Sequence, residues 1–86
     1  MGINKEYKAV REFHEKFKHP VADTPTFMGS ERAKMSYKWM LEESDEFLEA
    51  DEVVEQADAM IDTIYFALGT LVERGIEPEI LFEIVQ

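Results

Sequence analysis

The sequence predicts an all-α protein: an antiparallel helical hairpin core with flanking helices, forming an oligomeric helical bundle. Apolar residues recur at spacings of three and four, and no stretch alternates as a strand would. Neither Gly nor Pro interrupts the chain between Ser30 and Gly69. The length argues for assembly, because a lone domain of 86 residues buries only about 60% of the surface of its unfolded chain and so favours a partner subunit.

The first helix is expected over Asn4–Lys18, where Tyr7, Val10, Phe13 and Phe17 form one apolar stripe. His19 and Pro20 stop it, and the stretch through Pro25 and Gly29 holds too many breakers for regular structure. Ser30 offers an N-cap for the next helix, and Glu31 an acid in its first turn. A single straight helix from there to Gly69 would be about 58 Å long, out of proportion to a small globule, so the chain must fold back. The best break is at Ala50 and Asp51, with Asp51 capping the next helix. The second helix is therefore expected over about 31–50 and the third over about 52–74. Gly75 suits a left-handed stop, and Pro78 suits the first turn of a fourth helix carrying Ile80, Leu81, Ile84 and Val85. The chain thus reads as one domain over 1–86, and because it ends inside the fourth helix it reads as shortened at its C-terminus.

Composition narrows the function. With 9 Lys+Arg against 19 Asp+Glu, the net charge of −10 disfavours nucleic acid or an anionic membrane as partner. The absence of Cys excludes a disulfide scaffold, a thiolate zinc site and a cysteine nucleophile, leaving carboxylates and two histidines as ligand chemistry. Met1–Val10 has neither a signal-peptide core nor a myristoylation motif, since Glu6 stands where Ser or Thr is needed. The longest apolar run, Thr63–Val72, is half the length of a membrane span. A soluble cytoplasmic protein is expected. The apolar face of the third helix (Ala57, Ile61, Ile64, Leu68, Leu71) exceeds what four short helices can cover, which points to a homodimer or homotetramer.

Six acids then stand out. At 100° per residue Glu42, Glu43 and Glu46 share an arc of the second helix with Met35, Trp39 and Ala50, so these carboxylates are expected to point inward. Glu55, Asp58 and Asp62 share an arc of the third helix with Phe66 and Gly69. With the turn centred between Ala50 and Asp51, Glu46 should stand level with Glu55, and Glu43 with Asp58. Carboxylates crowded this way repel and lose hydration, and are tolerated only with protons or cations bound. A hard divalent cation fits them best, Mg²⁺ above all.

Glu42-Glu43-Ser44-Asp45-Glu46 resembles the E-E-x-x-E motif of the MazG and phosphoribosyl-ATP pyrophosphohydrolase superfamily, and Glu55-Gln56-Ala57-Asp58 resembles its E-x-x-D motif. Asp58 through Phe66 is similar to the superfamily's acid-then-apolar run, and His19 through Pro25 to the loop before its second helix. The likeness spans about residues 10–86. It implies a metal-dependent pyrophosphohydrolase that converts an NTP, dNTP or related nucleotide to the monophosphate plus pyrophosphate. By the same likeness Glu43, Glu46, Glu55 and Asp58 hold Mg²⁺ or Mn²⁺, and Glu42 is a second-metal ligand or the base that activates water. Asp62 joins the metal set, or replaces Glu55 in it. Arg32, three turns upstream of Glu43 on the same arc, and Lys38, beside Glu42, are the candidates to meet phosphate. The long loop is the expected base or sugar contact.

Bland readings stand beside these. Acids at helical spacing often mark a solvated face, and Trp39, Phe47, Phe66 and the methionines suit a core or a subunit interface. His14 and His19 suit loop packing. The alternative function is a catalytically inactive relative, or an acidic helical binding module acting through protein partners.

Overall fold

A computed structural model of the chain describes residues 3–85. These form four helices, α1 (Ile3–Lys16), α2 (Ser30–Glu49), α3 (Val53–Glu73) and α4 (Glu79–Val85), with no strand among the described residues. The all-α fold expected from the periodicity is the one observed. No described helix is long and apolar enough to cross a membrane. The chain divides into two compact units. One comprises the residues up to Phe27 and those from Leu68 onward, and the other comprises Met28–Ala67.

The first unit closes around a core. Tyr7 and Val10 of α1 and Leu68 and Val72 of α3 are buried together, with Ile3, Val21 and Leu71 packed against them. The spacings of three and four that predicted helices thus also select the buried faces, each such side chain contributing about 1.5–3 kcal/mol. Phe13 and Phe17, on the same expected stripe, remain 41% and 55% exposed and meet each other tilted by 41° at 4.6 Å instead.

Both long helices of this unit end in the same motif. After α1 the N–H of His19 bonds the carbonyl of His14 (2.8 Å) and that of Lys18 the carbonyl of Glu15 (3.4 Å), with Lys18 at φ 59°. After α3, Ile76 bonds Leu71 (2.9 Å) and Gly75 bonds Val72 (3.1 Å), with Gly75 at φ 69°. These are Schellman closures, which satisfy the last carbonyls by placing one residue in the left-handed region. Gly75 does so as the sequence predicts. Lys18 does so against its side chain, which ends α1 two residues before the expected boundary.

The loop between α1 and α2 is irregular but firmly tied. The Arg11 guanidinium donates to the carbonyl of Ala22 (3.4 Å) and to the Asp23 carboxylate (2.7 Å). His14 Nδ1 lies 2.8 Å from the carbonyl of Pro20, and because a carbonyl only accepts, that nitrogen carries the proton. Backbone bonds from Ala22 to Val72 and from Thr26 to Arg74 fasten the loop to α3 and its end. A Cβ on Gly75 would run into the carbonyl of Thr24, and one on Gly69 would lie 3.3 Å from the His14 ring. His14 is thus a loop-packing residue, as one of the sequence readings held.

The second unit is the hairpin made by α2 and α3 up to Ala67. Trp39 meets Phe66 edge-on at 6.2 Å. Its helix starts differ from expectation. The N-cap of α2 is Gly29, with no side-chain cap, and Ser30 is already helical. Asp51 does not cap α3 with its carboxylate; instead its N–H donates to Glu55 Oε1 at 3.3 Å, the later acid reaching back to the turn. Little of this unit is buried: Ser36, whose hydroxyl meets Met28 Sδ at 3.5 Å, and Ala59. Leu48, Val53 and Ile61 are 81%, 79% and 62% exposed.

Candidate functional site

The hairpin positions the acids. Glu43 and Glu46, three residues apart on α2, project from one face toward Asp62 of α3, and one carboxylate oxygen from each lies within 4.8 Å of the others. Glu43 is half-buried while Glu46 and Asp62 are exposed. Beside this trio is a cleft of about 370 Å³ lined by Glu46, Glu49, Glu55, Asp58 and Asp62, with the buried Ala59 among its walls. Ala59 is small enough to leave that space open.

Two sequence expectations are corrected here. Glu42 and Glu46 are not withdrawn from solvent; of Glu42, Glu43 and Glu46 only Glu43 is even partly buried, although Glu46 does face Asp62. The register also differs, because Glu43 stands with Asp62 rather than level with Asp58. Trp39 and Phe66, each four residues further from the turn, repeat the same pairing. The reason is the lean of helical side chains toward the N-terminus. On α2 that lean carries a side chain away from the turn and on α3 toward it, so an α2 acid meets an α3 acid from one turn further along.

The electrostatics follow from the crowding. The Glu43 carboxyl is held above the usual carboxylate range, first by loss of hydration, then by the charge of Glu46 and a hydrogen bond with it, and further by Asp62 and Glu42. Glu43 Oε2 is buried and has no hydrogen-bond partner. An unsatisfied buried oxygen facing two further carboxylates is costly by itself. A hard cation would satisfy it, and three oxygen donors on one open side leave positions for waters and phosphate, as Mg²⁺ prefers. The donor set therefore fits such an ion.

The structure treats the remaining expected residues unequally. Asp58 lines the cleft, and Glu55 lines it with one oxygen turned to Asp51. Glu42 and Lys38 are exposed, and neither belongs to the trio or lines the cleft. The Arg32 guanidinium lies over the Trp39 ring, 5.1 Å from its centroid. Glu49, not singled out by the sequence, also lines the cleft. Its position three residues after Glu46 on α2 was the available signal.

The phosphoribosyl-ATP pyrophosphohydrolase family model matches residues 10–86. The chain belongs to that family, one of nucleotide pyrophosphohydrolases, and the resemblance read from the acid motifs is the family found. No curated protein matches the chain.

Proposed function

We propose that this protein is a metal-dependent nucleotide pyrophosphohydrolase, cleaving an NTP, a dNTP or a related nucleotide to the monophosphate and pyrophosphate in the cytoplasm. The observation that carries this reading is the trio of Glu43, Glu46 and Asp62 with its unsatisfied Glu43 oxygen. Mg²⁺, or Mn²⁺ in its place, would be held by these three with Asp58 and Glu55 alongside, and supplies charge neutralisation for the polyphosphate and a more acidic water. Glu42, outside the trio and open to solvent, is the proposed general base for that water, or a ligand of a second metal ion. Arg32 and Lys38 are the proposed phosphate contacts.

The exposed apolar faces of the hairpin support a homodimer or homotetramer. Side chains such as Leu48, Val53 and Ile61 lose hydration favourably only when a partner covers them. The test of function is pyrophosphate release from a panel of NTPs and dNTPs with Mg²⁺ or Mn²⁺. Release by the wild type that disappears in Glu43→Gln/Glu46→Gln supports the reading, and no release from any nucleotide with either metal sinks it. The assembly is checked by light scattering, where a monomer would overturn it.

A further inference from the structure

We propose that Trp39 is a positioning residue that pre-sets Arg32 as a clamp for the outer phosphates of the nucleotide, the pair that leaves as pyrophosphate. The inference rests on the function proposed above and deepens it. Three observations place the pair on the site. Trp39 is one turn of α2 before Glu43, Phe66 is one turn of α3 after Asp62, and Trp39 and Phe66 meet edge-on at 6.2 Å. The aromatic pair thus continues the same face of the hairpin that carries the acids, about 6 Å along the helix. The Arg32 guanidinium lies over the Trp39 ring at 5.1 Å.

The stack fixes both where the cation is and what it can do. Arg32 and Trp39 are seven residues apart on one face of α2, about 10 Å along the helix, and their side chains close that gap between them. A guanidinium held over an aromatic ring loses freedom to wander, and its fork of N–H donors matches a phosphate bidentately. The hairpin unit has only three basic residues against eleven acidic ones, and the other two, Lys34 and Lys38, are exposed. Arg32 is the half-buried one, which strengthens its attraction for phosphate. The outer phosphates carry most of a nucleotide's charge, and a counter-charge on the acid-bearing face of the hairpin would hold them equally before and during reaction, so its loss falls on KM.

The probe is inorganic tripolyphosphate, titrated by calorimetry in Mg²⁺ into wild type, Arg32→Gln, Trp39→Leu, Trp39→Phe and the Arg32→Gln/Trp39→Leu double variant. Binding should weaken about tenfold in Arg32→Gln and in Trp39→Leu, and the double variant should be no weaker than Arg32→Gln alone. Trp39→Phe, which keeps a ring, should stay within about threefold of wild type. Titration with Mn²⁺ alone should be unchanged in all five proteins. In turnover, Trp39→Leu should raise KM and leave kcat within about twofold.

Equal losses from Trp39→Leu in the wild-type and Arg32→Gln backgrounds would overturn the proposal, as would a loss of Mn²⁺ binding that tracks the loss of anion binding. Arg32-dependent tripolyphosphate binding without release of pyrophosphate from any nucleotide would leave this inference standing and remove the proposed function. Turnover with Trp39→Leu unchanged in KM and in tripolyphosphate affinity would do the reverse.

Discussion

The two units of this chain differ in what their side chains face. The unit containing α1, α4 and the end of α3 has six basic and eight acidic residues, and it buries Tyr7, Val10, Leu68 and Val72 in one core. The hairpin unit has three basic and eleven acidic residues, and among its described residues the only buried apolar one is Ala59. Most of the chain's negative charge therefore sits where there is least core to hold it. The first unit is stabilised from within, by packing and by a loop sewn down through Arg11, His14 and Arg74. Under the proposed function the hairpin is completed by what binds it: a cation between its acids, and a second copy over its apolar faces.

Removing the cation's ligands should break the hairpin's function and leave the other unit intact. Glu43→Gln/Glu46→Gln should lower pyrophosphate release by about three orders of magnitude, the cost of losing the metal that neutralises the polyphosphate. Circular dichroism should show unchanged helix content. A folded variant that retains activity would mean that the trio is a solvated face.

Gly75→Ala should be the most destabilising single change in the first unit, at about 3 kcal/mol. It combines a left-handed φ with a collision against the Thr24 carbonyl, in a loop that cannot yield without breaking its bonds to α3. Val72→Ala removes fully buried methyl groups and should cost about 2 kcal/mol in urea unfolding. Ile61→Asp on the hairpin tests the opposite dependence. Wild-type and Val72→Ala midpoints should rise with protein concentration, whereas the Ile61→Asp midpoint should not. Identical concentration dependence in all three would show that the hairpin face is not an interface.

How much of this was legible divides along the same line. The helices and the Gly75 stop were readable because periodicity and a breaker are local signals. The acids were readable as a set because helical spacing alone brings Glu43 next to Glu46. Their partner was not. Choosing Asp62 over Asp58 depends on the lean of side chains on two antiparallel helices, which no single segment encodes. Nor did Ser30 announce that Gly29 would take the cap, since a one-residue shift in helix start has no strong sequence mark. The clamp of Arg11 on Asp23 and the stack of Arg32 on Trp39 join residues beyond one helical turn, and such contacts exist only after the fold does.

A smaller effect separates the two units by pH. The Glu43 carboxyl binds its proton more tightly in the folded metal-free protein than in the unfolded chain. The folded state thus holds more protons once pH passes the ordinary Glu value of about 4.5, and stability falls as pH rises through the window between that value and the raised one. Below it the penalty is absent. Glu43→Gln, without that proton to lose, should melt higher than wild type at neutral pH in EDTA, with the gap closing on acidification toward pH 4. Mg²⁺ should stabilise wild type at neutral pH and not the variant. A gap that persists at pH 4 would assign the gain to something other than relief of this crowded charge.

The smallest change compares two helix ends within one unit. α1 and α3 close with the same pair of hydrogen bonds, yet the left-handed residue is Gly75 in one and Lys18 in the other. A side chain with a Cβ costs about 1 kcal/mol in that region, and Lys18 is exposed, so removing its side chain sacrifices little packing. Part of the gain is returned, because glycine also loosens the unfolded chain. Lys18→Gly should therefore stabilise by about 0.5 kcal/mol, seen as a rise of about 2–4 °C in melting temperature. Lys18→Ala should show no such gain, because alanine keeps the Cβ that causes the strain. Equal melting temperatures for the glycine and alanine variants would mean that α1 ends in solution without the left-handed closure, and that the first unit is less tightly finished at Lys18 than at Gly75.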